Sequence, residues 1–109
     1  MNQISVRNNN KTLKLATENI IRVEASSNYS KIFLQHGGPI LVAKVLQWFE
    51  LNLPEDAFFR IHQTHIINRF FVQEFQQNNM LMLTTGEQIK ASRRKQRIFK
   101  TMRQKIAAE

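Results

Sequence analysis

The stretch Ser92-Arg93-Arg94-Lys95-Gln96-Arg97 crowds four cations into six residues. Ser92 is a good helix N-cap, and Ile98, Met102 and Ile106, joined by Phe99, recur at helical spacing, so Arg93, Arg94 and Lys95 fall in the first turn of an amphipathic helix. Cations beside the unpaired N–H groups and the positive end of the helix dipole each oppose stability by about a few tenths of a kcal/mol. The same cations and N–H groups make a clamp for phosphate or for base edges. Arginine pairs bidentately with guanine O6 and N7, whereas Lys95 suits a point contact with phosphate. Two structural alternatives stand beside this one: an ion pair from Arg93 or Arg94 to Glu24, Glu74 or Glu87, and plain solvation of a basic helix.

The charge balance favours the anion reading. Sixteen Lys and Arg against eight Asp and Glu give +8. Residues 1 to 87 hold eight basic and seven acidic side chains, and residues 88 to 109 hold eight basic and one acidic. A near-neutral body therefore carries a strongly basic C-terminal end, and clustered Lys and Arg steer polyanions and release their counterions. Other chemistry finds little support. His62 and His65, with His36 far off in sequence and no Cys anywhere, make a weak metal signal. Neither Ser92 among its cations nor His62 beside Thr64 shows a nucleophile, base and orienting acid together, and Gly37, Gly38 and Gly86 cannot build a glycine-rich phosphate loop. No catalysis, metal or cofactor is expected.

The elements that must position these residues are legible in part. A chain of 109 residues suits one domain, taken as residues 1 to 109, and buries roughly two-thirds of its exposable surface. A hydrophobic fraction of 42% with eight Phe is too apolar for a disordered tail. The lack of cysteine fits a reducing cytoplasm, and neither a signal peptide nor a membrane span is recognisable.

Ile4 and Val6, then Leu13 and Leu15, alternate around Asn8-Asn9-Asn10 and predict a hairpin. Strands are expected at 20 to 24 and at 29 to 35, the second with Tyr29, Lys31 and Phe33 on one side and Ser30, Ile32 and Leu34 on the other. From Lys44 the period becomes helical, with Val45, Leu46, Phe49 and Leu53 on one face and Pro54 as the stop. Phe58 to His62 begins as a strand, His62 to Asn68 has no clean period and reads as a loop or helical turn, and 71 to 75 with 80 to 83 reads as a hairpin. A short strand at 88 to 91 leads into Ser92.

Three stretches in this order also carry a family likeness. Ile21-Arg22-Val23-Glu24-Ala25 followed by Tyr29, then Phe59-Arg60-Ile61-His62-Gln63-Thr64-His65-Ile66-Ile67-Asn68, then Gly86-Glu87-Gln88-Ile89-Lys90-Ala91-Ser92-Arg93-Arg94 resemble the LytTR family of bacterial DNA-binding domains over roughly residues 4 to 104. The resemblance implies a mainly β fold, an elongated stack of small antiparallel sheets with two short helices, the C-terminal one amphipathic. It implies loops inserted into successive major grooves of double-stranded DNA, in a transcription regulator or the output domain of a two-component response regulator. A receiver domain upstream in the full-length protein and a homodimer on paired repeat sites are the further partners it implies. The chain itself is then expected to be an excised C-terminal domain or a short stand-alone regulator.

Carried over by position, Ser30, Gln63 and Arg94 take the base-reading places. Asn28, Tyr29, Lys31, Arg60, His62, Arg93, Lys95, Arg97 and Lys100 take backbone-contacting or supporting ones. Loop two departs from the family pattern, in which the motif His is commonly followed by Arg or Asn and then Ser, whereas here His62 precedes Gln63 and Thr64. Glutamine reads adenine through N6 and N7, so the departure alters base preference. Asn68 and Tyr29 also have structural readings, as a turn residue bonding nearby backbone and as a packing residue. An RNA-binding domain and a protein-interaction module are the alternatives in function.

Overall fold

The computed structural model describes residues 2 to 108. Ten strands form three antiparallel sheets over an elongated body of 42 × 28 × 24 Å. The central sheet has five strands, in the order β5 (Ile40–Val42), β4 (Tyr29–Leu34), β3 (Ile20–Ser26), β7 (His65–Asn68), β6 (Phe58–His62). A hairpin of β1 (Gln3–Asn8) and β2 (Lys11–Ala16) flanks it on one side. On the other lies a three-stranded sheet of β8 (Val72–Gln76), β9 (Met80–Leu83) and β10 (Gln88–Lys90).

The central sheet is covered on both faces. Ile4 and Val6 of the hairpin join Val23, Ile32, Val42 and Ile66, together with Leu46 and Phe49 of helix α1 (Leu46–Asn52), in one core. Ile21, Ile61 and Ile67 join Leu81, Leu83 and Ile89, together with Phe99 and Met102 of helix α2 (Gln96–Ala107), in a second. Phe99 meets Phe75 edge to face at 5.4 Å. Burial on both faces removes the polar-apolar alternation of a half-exposed strand. This explains β7, where a loop or helical turn was expected: Ile66, Ile67 and Asn68 are all buried, and the chain reverses at Gln63-Thr64 to return as a strand between β3 and β6.

Two helix boundaries also differ from the sequence pattern. Val45 is extended and 54% exposed, so it lies outside the apolar face of α1 rather than on it. Ser92 caps as expected, its Oγ accepting from the Lys95 N–H at 3.2 Å, but the turn it caps is a 3-10 turn over Arg93–Lys95 and α2 proper begins at Gln96.

The sheets put their turns at two opposite ends. At one end lie the β3–β4 turn at Ser27-Asn28, the β6–β7 turn at Gln63-Thr64, the β8–β9 turn at 77 to 79 and the segment from Ala91 to Lys95. Backbone bonds lock them together: Ala25 N–H to Thr64 O, Ala91 N–H to Asn79 O and Ser92 N–H to Ile61 O, at 2.8 to 2.9 Å. The tip of β1–β2 joins this end, because the Asn8 Nδ2 donates to Leu41 O of β5 at 2.7 Å. Ser27, Asn78 and Asn79 here adopt φ of 56°, 61° and 59°, and Asn9 and Asn10 adopt 52° and 63°. At the far end the β4–β5 and β9–β10 turns reach positive φ through Gly37 and Gly86.

Candidate nucleic-acid interface

The β6–β7 turn is held by two side chains beneath it. Arg60 donates through Nη2 to Gln63 O at 2.8 Å and through Nη1 to Glu50 at 2.9 Å. A partly exposed pair of this kind adds about 0–1 kcal/mol to stability, so its main effect is to fix the turn. His62 accepts the Thr64 N–H at Nδ1, 3.1 Å, which leaves the proton of the neutral ring on Nε2. Gln63 itself is exposed.

Beside this turn, Arg60, His62, Gln63, Ser92, Arg94 and Lys95 line an open cavity of about 510 Å³ with no carboxylate in its wall. Arg93 borders a neighbouring cavity of about 350 Å³ with Asn78, Asn79 and Lys90, and His62 and Ser92 are shared between the two. Among the described residues Arg93 and Arg94 make no ion pair. The carboxylates of Glu24 and Glu87, weighed as their partners from sequence, are taken by Arg22 instead, at 2.6 and 2.8 Å.

Arg22 is buried and stacks on Phe33 with its guanidinium 3.7 Å from the ring centroid. Burial would lower its pKa, but the hydrogen bonds and charges of Glu87 and Glu24 outweigh burial and raise it. The Arg22 hydrogen bond in turn holds the Glu87 carboxyl below its usual range. His65 sits in register with Glu24, its ring 5.4 Å from that of His62. Burial pushes its pKa down, with Arg22 and His62 adding to the effect and Glu24 and Glu87 opposing it.

The LytTR DNA-binding domain model matches residues 10–104. The chain belongs to the LytTR family of DNA-binding domains. A solved LytTr DNA-binding domain from Bacillus cereus, described as that of a methyl-accepting/DNA response regulator, superposes with a TM-score of 0.80. The match covers 94% of this chain and 96% of the other at 18% identity, and establishes the fold: small antiparallel sheets with two helices. No curated protein matches the chain.

Within this LytTR domain the sequence-derived site residues separate into three groups. Gln63, His62, Arg60, Arg94 and Lys95 converge on one cavity, with Arg93 on the next. Asn28, Tyr29 and Lys31 are exposed on the β3–β4 turn and the start of β4. Arg97 and Lys100 stand apart: Arg97 lines a cavity with Glu50 and Glu55, and Lys100 is on the exposed side of α2 nearly a turn further on. Ser30 requires a correction. Its side chain is fully buried and its Oγ donates to Lys44 O at 2.7 Å, so it faces the core beside Ile32 and offers no group to a base. Asn68 is structural, its Nδ2 donating to Ile20 O and its Oδ1 accepting the Phe70 N–H.

Two contributors escaped the sequence reading. Asn78 and Asn79 border the Arg93 cavity, and Asn79 exchanges side-chain hydrogen bonds with Gln96 at the start of α2. Their visible signal was a pair of Asn in a turn, repeated at Asn9-Asn10. Among the described residues no three His, Asp or Glu side chains gather in a way that could hold a metal ion, and no helix is long and apolar enough to cross a membrane.

Proposed function

We propose that this LytTR domain, acting as one unit over residues 1 to 109, binds double-stranded DNA sequence-specifically through the turns at one end of its central sheet. The observation that carries the proposal is the carboxylate-free cavity onto which exposed Gln63 and Arg94, without an ion pair among the described residues, converge. Arg94 reads guanine through O6 and N7, and Gln63 reads adenine through N6 and N7. Arg93 and Lys95 hold the phosphates on either side, Asn28, Tyr29 and Lys31 hold the backbone further along, and Arg60 and His62 fix the Gln63 turn. Because Gln63 and Arg94 share one cavity, they address neighbouring positions in one groove, and the β3–β4 turn addresses the next. The response-regulator description of the Bacillus cereus structure supports a regulatory output role; a receiver domain upstream and a homodimer on paired repeat sites complete the proposal.

The test is selection from random duplexes, followed by competition between the selected duplex, scrambled duplex and single-stranded RNA at one fixed salt concentration. A consensus that competes far better than scrambled DNA or RNA is expected. Equal competition by RNA, or the absence of any consensus, refutes the proposal.

A further inference from the structure

Charge is concentrated at a second place in the chain besides the C-terminal end. Residues 1 to 17 carry Arg7, Lys11 and Lys14 and no acidic side chain, whereas residues 18 to 87 carry five basic and seven acidic ones. Arg7 and Lys11 flank the tip of the β1–β2 hairpin, and both are exposed. The tip is not free to wander, since Asn8 ties it to the backbone of β5. It lies next to the β3–β4 turn: Arg7, Asn8, Asn9 and Asn10 line an open cavity of about 700 Å³ together with Tyr29, Leu41 and Ala43, and no carboxylate is in its wall.

The strand order gives the order of the turns. From one edge to the other, the hairpin tip lies beside β5, the first turn joins β4 and β3, the second joins β7 and β6, and the Arg93–Lys95 segment lies beyond β6. The tip therefore lies on the β5 side of the β3–β4 turn, close enough to line one cavity with Tyr29, and away from Arg94. A duplex lying across these turns would meet the tip next to the stretch that the β3–β4 turn faces, at the end away from Arg94.

We propose that the β1–β2 hairpin tip is a fourth DNA-contacting element, in which Arg7 and Lys11 clamp the phosphate backbone flanking the bases read by the other turns. The occupant is backbone and not base. The two cations are point and fork donors to phosphate, and Asn9 and Asn10 place a left-handed turn where the chain comes closest to it. The inference rests on the DNA-binding reading above and extends the interface by one element.

The experiment compares the unmodified domain with the Arg7→Ala, Lys11→Ala double variant on the selected duplex, with long flanks and with the flank on the β3–β4 side cut back. Both residues lie outside the cores, so unchanged circular dichroism and melting are expected. On the long duplex the variant should lower the slope of log K against log salt by up to about two units and lose backbone protection on that flank only, with base preference intact. The unmodified domain on the shortened duplex should match the variant, and the variant should lose nothing more there. A variant with the parental slope and footprint overturns the hairpin contact alone. An unmodified domain that gives no footprint on any duplex overturns the DNA-binding reading and the hairpin contact with it.

Discussion

Replacing Ser30 by alanine separates burial from recognition. The Ser30 hydroxyl donates to Lys44 O at 2.7 Å from a fully buried position. A neutral hydrogen bond contributes about 0.5–1.5 kcal/mol net. The Lys44 carbonyl faces that buried hydroxyl, and an acceptor left without its donor raises the cost to about 1–3 kcal/mol. The void left by one oxygen atom adds little. Ser30→Ala should therefore cost about 1–3 kcal/mol, or at least about 4 °C in Tm for a domain of this size. Its affinity for the selected duplex should stay within about twofold and its base preferences should be unchanged. Thermal unfolding by circular dichroism, paired with duplex selection on the variant, reads both quantities. A Tm that does not move, with discrimination lost at one base pair by the about 1–3 kcal/mol of a broken base contact, would refute the argument. It would mean that the hydroxyl leaves its core site to meet DNA.

The shared cavity predicts that Gln63 and Arg94 are coupled. Each alanine variant should lose about 1–3 kcal/mol on the selected duplex, and a double-mutant cycle at fixed salt should show a coupling of about 0.5 kcal/mol or more, with strict additivity counting against a common groove. Phe99→Ala, which empties a buried site against Phe75, should cost about 3–5 kcal/mol in urea unfolding, and retention of the full transition would place α2 outside the core. For His65, whose folded pKa lies below 6.5, the unfolded chain binds the extra proton, so the stability given by the neutral ring is complete above about pH 6.5 and is lost as pH falls through the folded value. Tm measured from pH 7.5 to 5.0 should fall, and His65→Gln should flatten that fall; Glu87, depressed from 4.5, acts in a lower window.

Much of the fold was legible because most elements have one dry face and one wet one. The β1–β2 hairpin, β4, α1 and α2 announce themselves by period. Where both faces are dry the signal disappears, as in β7, and a strand of three residues such as β5 is too short to show one. The Arg93–Lys95 cluster was visible as unfavourable charge at a helix start, and among the described residues those charges make no ion pair, which removes the salt-bridge alternative and leaves nucleic-acid contact and solvation. Ser30 shows two signals in conflict. Its alternation with Ile32 and Leu34 placed it inside, its position in the family pattern placed it on DNA, and burial decides for the first. The Arg60 clamp on Gln63 O and the tether from Asn8 to Leu41 were illegible, because a side chain's bond to a distant backbone carbonyl leaves no periodic trace.

The two ends of the molecule differ in how they reach left-handed backbone. Glycine does so at Gly37 and Gly86 without strain, whereas Asn9, Asn10, Ser27, Asn78 and Asn79 do so with a side chain in place. Fold alone gives no reason for that difference, since glycine would serve at both ends. The chain keeps amide and hydroxyl groups at one end, where glycine would adopt the same backbone more easily. Glycine placed there would relieve the left-handed backbone but blank the face, and at Asn79 it would also remove the bonds to Gln96, so on the DNA-binding reading proposed above backbone ease and recognition pull against each other at this end. An engineer wanting a sturdier domain has the Gly37 and Gly86 end and the two cores to work with, and on the same reading one wanting a new specificity has the asparagine end.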